Sequence, residues 1–197
     1  FMEPEKETPP EPDFLQGVKE LCHSNGAVFV LDEMICGFRW HNGGGQAYHG
    51  VSADLSAFGK ALGNGFSVSA LTGKREIMQL GGYEHNQDRV FTLSLTHGAE
   101  LPCLAAAREV MRIYEEEPVI EVLWERGRQL AAGVQQIVDE LGLGDHFGLL
   151  GRPCNLVYFT RDQQGAPSQP FRTLFLQETI ARGVLAPSFV VNYAHTE

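Results

Sequence analysis

Residues 27–60 read AVFVLDEMICGFRWHNGGGQAYHGVSADLSAFGK, and this stretch holds the two groups around which the chain is organised. Its first apolar run ends abruptly at Asp32 and Glu33, and its second, 55–58, leads towards Lys60. Short apolar runs that end in charged residues are typical of buried parallel strands. In open α/β sheets the functional site lies at the carboxyl ends of the strands. The sequence therefore predicts that an acid and a lysine share one edge of one sheet.

The composition is that of a folded protein with a sizeable core. The chain has 197 residues, of which 43% are hydrophobic and 20% are charged, and this excludes a disordered or fibrous chain. It carries a net charge of −10 and no cluster of Lys or Arg, so we expect no nucleic-acid partner. Its apolar runs are far shorter than the ~20 residues of a membrane span. No basic segment followed by an apolar one opens the chain, so we expect neither a membrane segment nor a signal peptide.

The cysteines and histidines form no pattern typical of a metal site or a disulfide framework. The four cysteines are scattered, at positions 22, 36, 103 and 154, and the seven histidines show no HxxxH or similar spacing. A structural zinc site or a disulfide framework would show closer pairs. We therefore expect no metal, ordinary buried thiols and a reducing compartment, which makes the cytoplasm the predicted location.

The order of the predicted elements indicates an α/β fold. We expect helices over 14–24, 74–80, 100–115, 119–141 and 171–182, and strands over 27–31, 54–58, 70–73, 90–96 and 155–160, with one or two more within 184–193. Alternation of helix and strand is typical of α/β proteins. The alternation becomes sparser after about Pro118, and we place a domain boundary there, between 1–117 and 118–197. The glycine-rich segment 41–50 fits a surface turn or a loop that lines a ligand site equally well.

Three hypotheses explain an acid and a lysine at one sheet edge. In the first, the acid pair belongs to a nucleotide triphosphatase, but the GxxxxGK[ST] loop that this class needs is absent around Lys60. In the second, a buried acid simply ends a strand and the lysine faces solvent. In the third, the pair serves pyridoxal phosphate, which needs a lysine amine for a Schiff base and an acid partner for its ring nitrogen. The spacing from Asp32 to Lys60 fits one strand–connection–strand unit and so permits the third hypothesis.

Two longer segments carry a resemblance to a known family. LDEMICGFR (31–39) and GVSADLSAFGKALGNGFSVSALTGKREIM (50–78) resemble the acid-pair and glycine–lysine motifs of the class III aminotransferases of fold type I. Within that family the chain is most similar to the glutamate-1-semialdehyde aminomutase-like group, and the resemblance extends over essentially the whole chain. It implies part of a mainly parallel-sheet large domain that binds pyridoxal 5'-phosphate, followed by an α+β small C-terminal domain.

The resemblance also implies roles for individual residues. Lys60 would form the Schiff base with the cofactor and later shuttle a proton, and Asp32 would pair with the pyridine nitrogen. Met34 stands where the family usually has a valine that packs on the ring face. Thr96 matches a threonine that reaches a cofactor phosphate in the neighbouring subunit. The segment around Thr96, THGAELP, otherwise departs from the family pattern.

The resemblance implies an enzyme that transfers an amino group between a small-molecule donor and acceptor, as a homodimer with a shared active site. It leaves open an intramolecular aminomutase of the glutamate-1-semialdehyde type, and a non-catalytic fragment that serves only as an oligomerising or binding module. Glu33 and Arg39 match motif positions, and a scaffold role fits them as well as direct contact. Because family members are considerably longer and supply a phosphate-binding loop upstream, the resemblance implies a partial chain.

Overall fold

The computed structural model describes residues 11–88, 98 and 100–196, which form two compact units. The first unit extends to Ile120 and the second begins at Glu121. The strand expected over 90–96 lies outside the described residues. Within the described ranges, no helix is long and apolar enough to cross a membrane.

The first unit is built around a three-stranded sheet. Its described elements are α1 (Phe14–Ser24), β1 (Val30–Asp32), α2 (Gly44–His49), β2 (Leu55–Phe58), β3 (Ala70–Gly73), α3 (Arg75–Met78) and α4 (Leu101–Glu116). The strands lie in the order β1-β2-β3. β1 and β2 run parallel, with Asp32 opposite Ala57, and β3 runs antiparallel to β2. The parallel pair on which the sequence argument depends is therefore present, within a mixed α/β fold.

Two features of the first unit differ from the sequence-based expectation. β1 covers 30–32 rather than 27–31, and its burial alternates, with Leu31 buried and its neighbours exposed. The glycine-rich segment contains a helix, α2, whose first residues Gly44 and Gly45 are buried. The sequence does not predict this helix because glycine disfavours helical backbone.

Asp54 joins the amino ends of the parallel strands. It is 4% exposed, and its carboxylate accepts hydrogen bonds from the backbone N–H of Phe29 at 2.7 Å and from His23 Nε2 at 2.9 Å. It also pairs with Lys74 Nζ at 2.7 Å. Lys74 and the two hydrogen bonds hold the pKa of the Asp54 carboxyl well below its ordinary value. One side chain thus ties α1, the starts of β1 and β2, and the segment after β3.

Helix α4 contacts the segment that follows β1. Its buried side chains, Cys103, Ala107 and Val110, have the spacing of one helical face. One turn further on, the Tyr114 hydroxyl donates a hydrogen bond to the carbonyl of Phe38 at 2.8 Å. The two rings meet edge to face, with their centroids 5.4 Å apart, and Phe38 has a φ of +63°. The contact with Tyr114 therefore holds an unfavourable backbone conformation in place.

The second unit combines helices with a two-stranded antiparallel sheet. It contains most of α5 (Val119–Glu140), then β4 (Phe147–Leu150), β5 (Val157–Thr160) and α6 (Gln169–Ala181). The sequence does not predict β4, because its four residues FGLL are few and include a glycine; pairing with β5 selects the extended form. Where strands are expected within 184–193, the described residues form only an isolated bridge, from Phe189 to Leu156.

An aromatic cluster forms the core of the second unit. Val138 of α5, Phe147 of β4 and Tyr158 of β5 are buried together. The rings of Phe147 and Tyr158 stack with centroids 5.4 Å apart, and the Phe175 ring of α6 lies 5.0 Å from both. Burial of each such side chain contributes about 1.5–3 kcal/mol. These contacts hold α5, α6 and the β4–β5 pair to one another.

We expect the substitution Asp54→Asn to lower the free energy of unfolding by about 1–3 kcal/mol at pH 7, because the buried carboxylate charge that pairs with Lys74 is lost. Urea denaturation followed by circular dichroism measures the change. The matched control is Glu20→Gln, since Glu20 is exposed and only accepts a hydrogen bond from Gln16. The control should stay within about 0.5 kcal/mol of the wild type. Equal losses in the two variants would contradict the role given to Asp54.

The same carboxylate predicts a pH dependence. Its folded-state pKa is lowered, so its stabilising effect is present above the ordinary aspartate pKa of about 4 and is lost as the pH falls below it. The difference in unfolding free energy between wild type and Asp54→Asn should therefore narrow steadily as the pH falls below about 4. A difference that stays constant or widens over this range would be evidence against the ionised, hydrogen-bonded Asp54.

Candidate functional site

Asp32 and Lys60 lie at the same edge of the sheet. Asp32 is the last residue of β1 and is paired in register with Ala57 of β2. Lys60 follows just past the end of β2, and both side chains are exposed. Among residues 11–88 and 100–196, no hydrogen bond or ion pair involves the Lys60 amine. An accessible acid and an accessible amine thus stand at the carboxyl ends of neighbouring parallel strands, where α/β sheets bind their ligands.

The backbone at Lys60 is strained. Its φ is +46°, in the left-handed region that residues with a Cβ atom rarely adopt. Its carbonyl accepts hydrogen bonds from the N–H groups of Gly63 and Asn64, each at 3.1 Å. Leu62, in the same tight turn, is buried and fixes it to the unit. Strain of this kind is concentrated at functional sites, where the surrounding structure enforces it.

Met34 contacts Asp32 directly and Lys60 through its neighbour Gly59. A Cβ atom placed on Gly59 would lie 2.5 Å from the Met34 sulfur, so the thioether touches the residue directly before Lys60. The Met34 N–H also donates a hydrogen bond to Asp32 Oδ1 at 2.9 Å. Thr96, the remaining predicted site residue, lies outside the described residues.

Glu33, next to Asp32, is fully buried, with 0% exposure. Its carboxylate accepts hydrogen bonds from the N–H groups of Gly45 at 2.6 Å and Gln46 at 2.9 Å, and from the thiol of Cys36 at 2.7 Å. The two N–H groups lie in the first turn of α2, where backbone donors lack partners within the helix and negative charge is favourable. Glu33 therefore caps α2 from the end of β1.

The backbone of Glu33 and the side chain of Gln46 extend this connection to β2. The Glu33 N–H donates a hydrogen bond to the carbonyl of Ala57 at 2.8 Å. The Gln46 side chain donates to Ser56 Oγ at 3.1 Å and accepts from the Ala53 N–H at 3.3 Å. Helix α2 is thus tied to the carboxyl end of β1 through Glu33 and to the first half of β2 through Gln46.

The glycines at the start of α2 leave room for the Glu33 carboxylate. A Cβ atom on Gly44 would lie 2.6 Å from Glu33 Oε1, and the φ of Gly44 is +79°. A Cβ atom on Gly45 would lie 2.8 Å from the Cys36 sulfur. Gly44 and Gly45 therefore meet a packing requirement at the start of α2.

The Cys36 thiol acts as a hydrogen-bond donor. Its burial, together with the Glu33 carboxylate beside it, raises the pKa of the thiol far above its ordinary value. A thiol that stays protonated is a poor nucleophile and a poor metal ligand. In the described part of the chain, no group of three or more His, Cys, Asp or Glu residues could hold a metal ion.

The sequence alone leaves the role of Glu33 open and does not identify Gln46. The available signal is an acid pair directly after a strand, followed by a glycine triplet in the same connection. This signal indicates that a side chain and a backbone approach each other closely. The identity of the two partners depends on how the connection folds back between β1 and β2.

Comparison with known proteins identifies the family. The sequence profile described as "Aminotransferase class-III" matches residues 7–143, which is more than half of the chain. The chain belongs to the class III aminotransferase family.

Individual relatives agree with this assignment. The chain is 33% identical over 192 residues to a 3-aminobutyryl-CoA aminotransferase of Cloacimonas acidaminovorans, covering 95% of this chain and 44% of that protein. A solved omega-transaminase from Sphaerobacter thermophilus matches with a TM-score of 0.74 and 27% identity, over 92% of this chain and 42% of that one. The FumI protein of a Sphingopyxis species, solved in its PLP internal aldimine form, matches with a TM-score of 0.70 and 26% identity, over 80% and 36%. The described fold is thus that of the fold type I transaminases, and the chain spans less than half the length of these relatives.

The packing around Glu33 predicts that Gly44→Ala lowers the free energy of unfolding by about 2–4 kcal/mol, because the new methyl group adds both left-handed strain and overlap with the carboxylate. Gly17→Ala is the matched control, since Gly17 lies within α1 and nothing stands within 4 Å of its added Cβ. The control should be stabilised by about 0.5–1 kcal/mol. Thermal and urea unfolding of both variants measure these changes, and a neutral Gly44→Ala would contradict the described packing.

Proposed function

We propose that this chain carries the lysine-bearing part of a pyridoxal 5'-phosphate site that serves amino-group transfer. The observation that supports the proposal most is the placement of Asp32 and Lys60. Both side chains are exposed at the carboxyl ends of adjacent parallel strands. Membership of the class III aminotransferase family gives independent support.

The residues at this edge fit the cofactor chemically. An amine can attack an aldehyde only when it is unprotonated and accessible, and the Lys60 amine has no hydrogen-bond or ion-pair partner among the described residues. A carboxylate facing a pyridine nitrogen favours the protonated form of that nitrogen, and Asp32 presents such a carboxylate. Met34 adds an apolar, polarisable group that suits the face of an aromatic ring.

We assign one task to each residue. When bound, pyridoxal phosphate supplies a ring that accepts electrons from the bond broken at the carbon bearing the amino group. Lys60 Nζ would hold the cofactor by condensing with its aldehyde, with loss of water, and would move a proton at that carbon. Asp32 would keep a proton on the pyridine nitrogen, and Met34 would lie against the ring. Thr96 contacts a cofactor phosphate in the neighbouring subunit of a homodimer.

We assign residues 1–117 to the cofactor-binding large domain and 118–197 to the small C-terminal domain of a cytoplasmic enzyme. Its partners are a small-molecule amino donor and acceptor. The relatives described above carry the names of an aminotransferase and a transaminase. These names favour transfer between two molecules over an intramolecular aminomutase, and over a module without catalysis.

The test is to find the lysine that pyridoxal phosphate labels. The purified chain is mixed with the cofactor, reduced with borohydride to fix the link to an amine, and digested for peptide mass mapping. We expect the label at Lys60 together with a visible absorbance band, and the loss of both in Lys60→Ala. Lys19→Ala is the matched control and should keep both, because Lys19 lies on α1, whose His23 contacts Asp54 at the amino ends of the strands.

Two outcomes would overturn the proposal. In one, the folded wild-type chain shows no labelled Lys60. In the other, the label is spread over lysines at random and is unaffected by Lys60→Ala. Circular dichroism of each variant establishes that the chain is folded when it is tested.

A further inference from the structure

Glu33 is a buried carboxylate that has no cationic partner among the described residues. Its bonding partners are the N–H groups of Gly45 and Gln46 and the thiol of Cys36. Burial of a charge is costly unless hydrogen bonds compensate for it. Burial of the Glu33 carboxylate costs free energy, and Glu33 lies directly beside Asp32. We therefore ask whether Glu33 determines the geometry of the site.

The direction of the Asp32 carboxylate depends on the backbone of its neighbours. Asp32 is exposed, and its carboxylate accepts one described hydrogen bond, from the Met34 N–H at 2.9 Å. Glu33 is the residue between them. Its N–H is bonded to Ala57 at 2.8 Å and its carbonyl to the Gly37 N–H at 2.9 Å. Every polar group of Glu33 is therefore engaged, so the turn from Asp32 to Met34 is fixed at its centre.

We propose that Glu33 is a positioning residue, whose carboxylate locks α2 and β2 to the end of β1 and thereby aims the Asp32 carboxylate. The proposal rests on the function proposed above, in which Asp32 faces the cofactor nitrogen. Glu33 itself is buried and touches neither cofactor nor substrate. Its effect passes through the Met34 N–H and the backbone of the turn.

The same sheet supplies a control for purely structural effects. Asp54 is also a buried carboxylate with several hydrogen-bond donors, but it lies at the amino ends of the strands. Asp54→Asn therefore weakens the sheet without touching the edge that carries Asp32. If Glu33 acts only on stability, Glu33→Gln and Asp54→Asn will have the same consequences.

The experiment compares Glu33→Gln with Asp54→Asn in two measurements, each made at the same interval below the melting temperature of the variant. The first is hydrogen exchange of the Met34 amide, followed by NMR without cofactor. The second is the affinity for pyridoxal phosphate, read from the visible absorbance. Because hydrogen bonds to a charged group are strong, we expect Glu33→Gln to speed Met34 exchange and to weaken affinity about tenfold each. Asp54→Asn should change both by less than about twofold.

The outcomes separate this inference from the proposed function. Equal effects of the two variants on Met34 exchange would overturn the positioning role, whatever the chain binds. If the wild type does not bind the cofactor, the proposed function fails, and Met34 exchange alone then decides whether Glu33 holds the Asp32 turn. If Glu33→Gln speeds Met34 exchange but leaves the affinity for pyridoxal phosphate unchanged, the turn does not aim Asp32 at the cofactor. The inference is then overturned.

A milder variant covers the case in which Glu33→Gln does not fold. Cys36→Ala removes one of the donors to Glu33, whereas Cys36→Ser keeps a donor at the same position. We expect Cys36→Ala to shift Met34 exchange and affinity in the same direction as Glu33→Gln, by about threefold, and Cys36→Ser to restore most of the change. No difference between the two Cys36 variants would overturn the proposal.

Discussion

A buried carboxylate, that of Glu33, accepts two backbone hydrogen bonds from the first turn of α2 and one from the Cys36 thiol. Hydrogen bonds to a charged group contribute about 1.5–3 kcal/mol each, while taking a carboxylate out of water costs several kcal/mol. The two effects largely offset each other, so the main consequence of this arrangement is geometric. It fixes where β1 ends relative to α2, and through Gln46 it fixes β2 as well.

A buried carboxylate holds each end of the parallel pair β1–β2, and the two carboxylates have different kinds of partner. At the amino ends, Asp54 pairs with the exposed Lys74 and accepts hydrogen bonds from His23 and a backbone N–H. At the carboxyl ends, Glu33 is held by backbone and thiol donors, so its described partners add no cation that would compete for Asp32. The amino ends of the strands thus have a structural role, whereas the carboxyl ends carry the candidate catalytic residues. The strained turn at Lys60 and the Met34 contact lie on that second end.

Much of the fold and of the candidate site could be predicted from the sequence. The features that could not be predicted depend on contacts that form only in the folded chain. The spacing and order of residues 27–60 predict the parallel strands and the shared edge, because strand ends depend on local patterns of apolar and charged residues. Helix α2 and the role of Glu33 could not be predicted, because glycine disfavours helices locally and only the folded connection brings the carboxylate to them. Likewise β4 depends on its pairing with β5, a contact that local propensity does not contain.

The central claim is that one sheet edge presents Lys60 for attachment of the cofactor and Asp32 for its ring nitrogen. The most direct test is 15N NMR of pyridoxal phosphate labelled at the pyridine nitrogen and bound to the chain, in wild type and in Asp32→Asn. The account predicts a protonated nitrogen in the wild type and an unprotonated one in Asp32→Asn, with the link to Lys60 kept in both. An unprotonated nitrogen in the wild type, or a protonated one that persists without the Asp32 carboxylate, would contradict it.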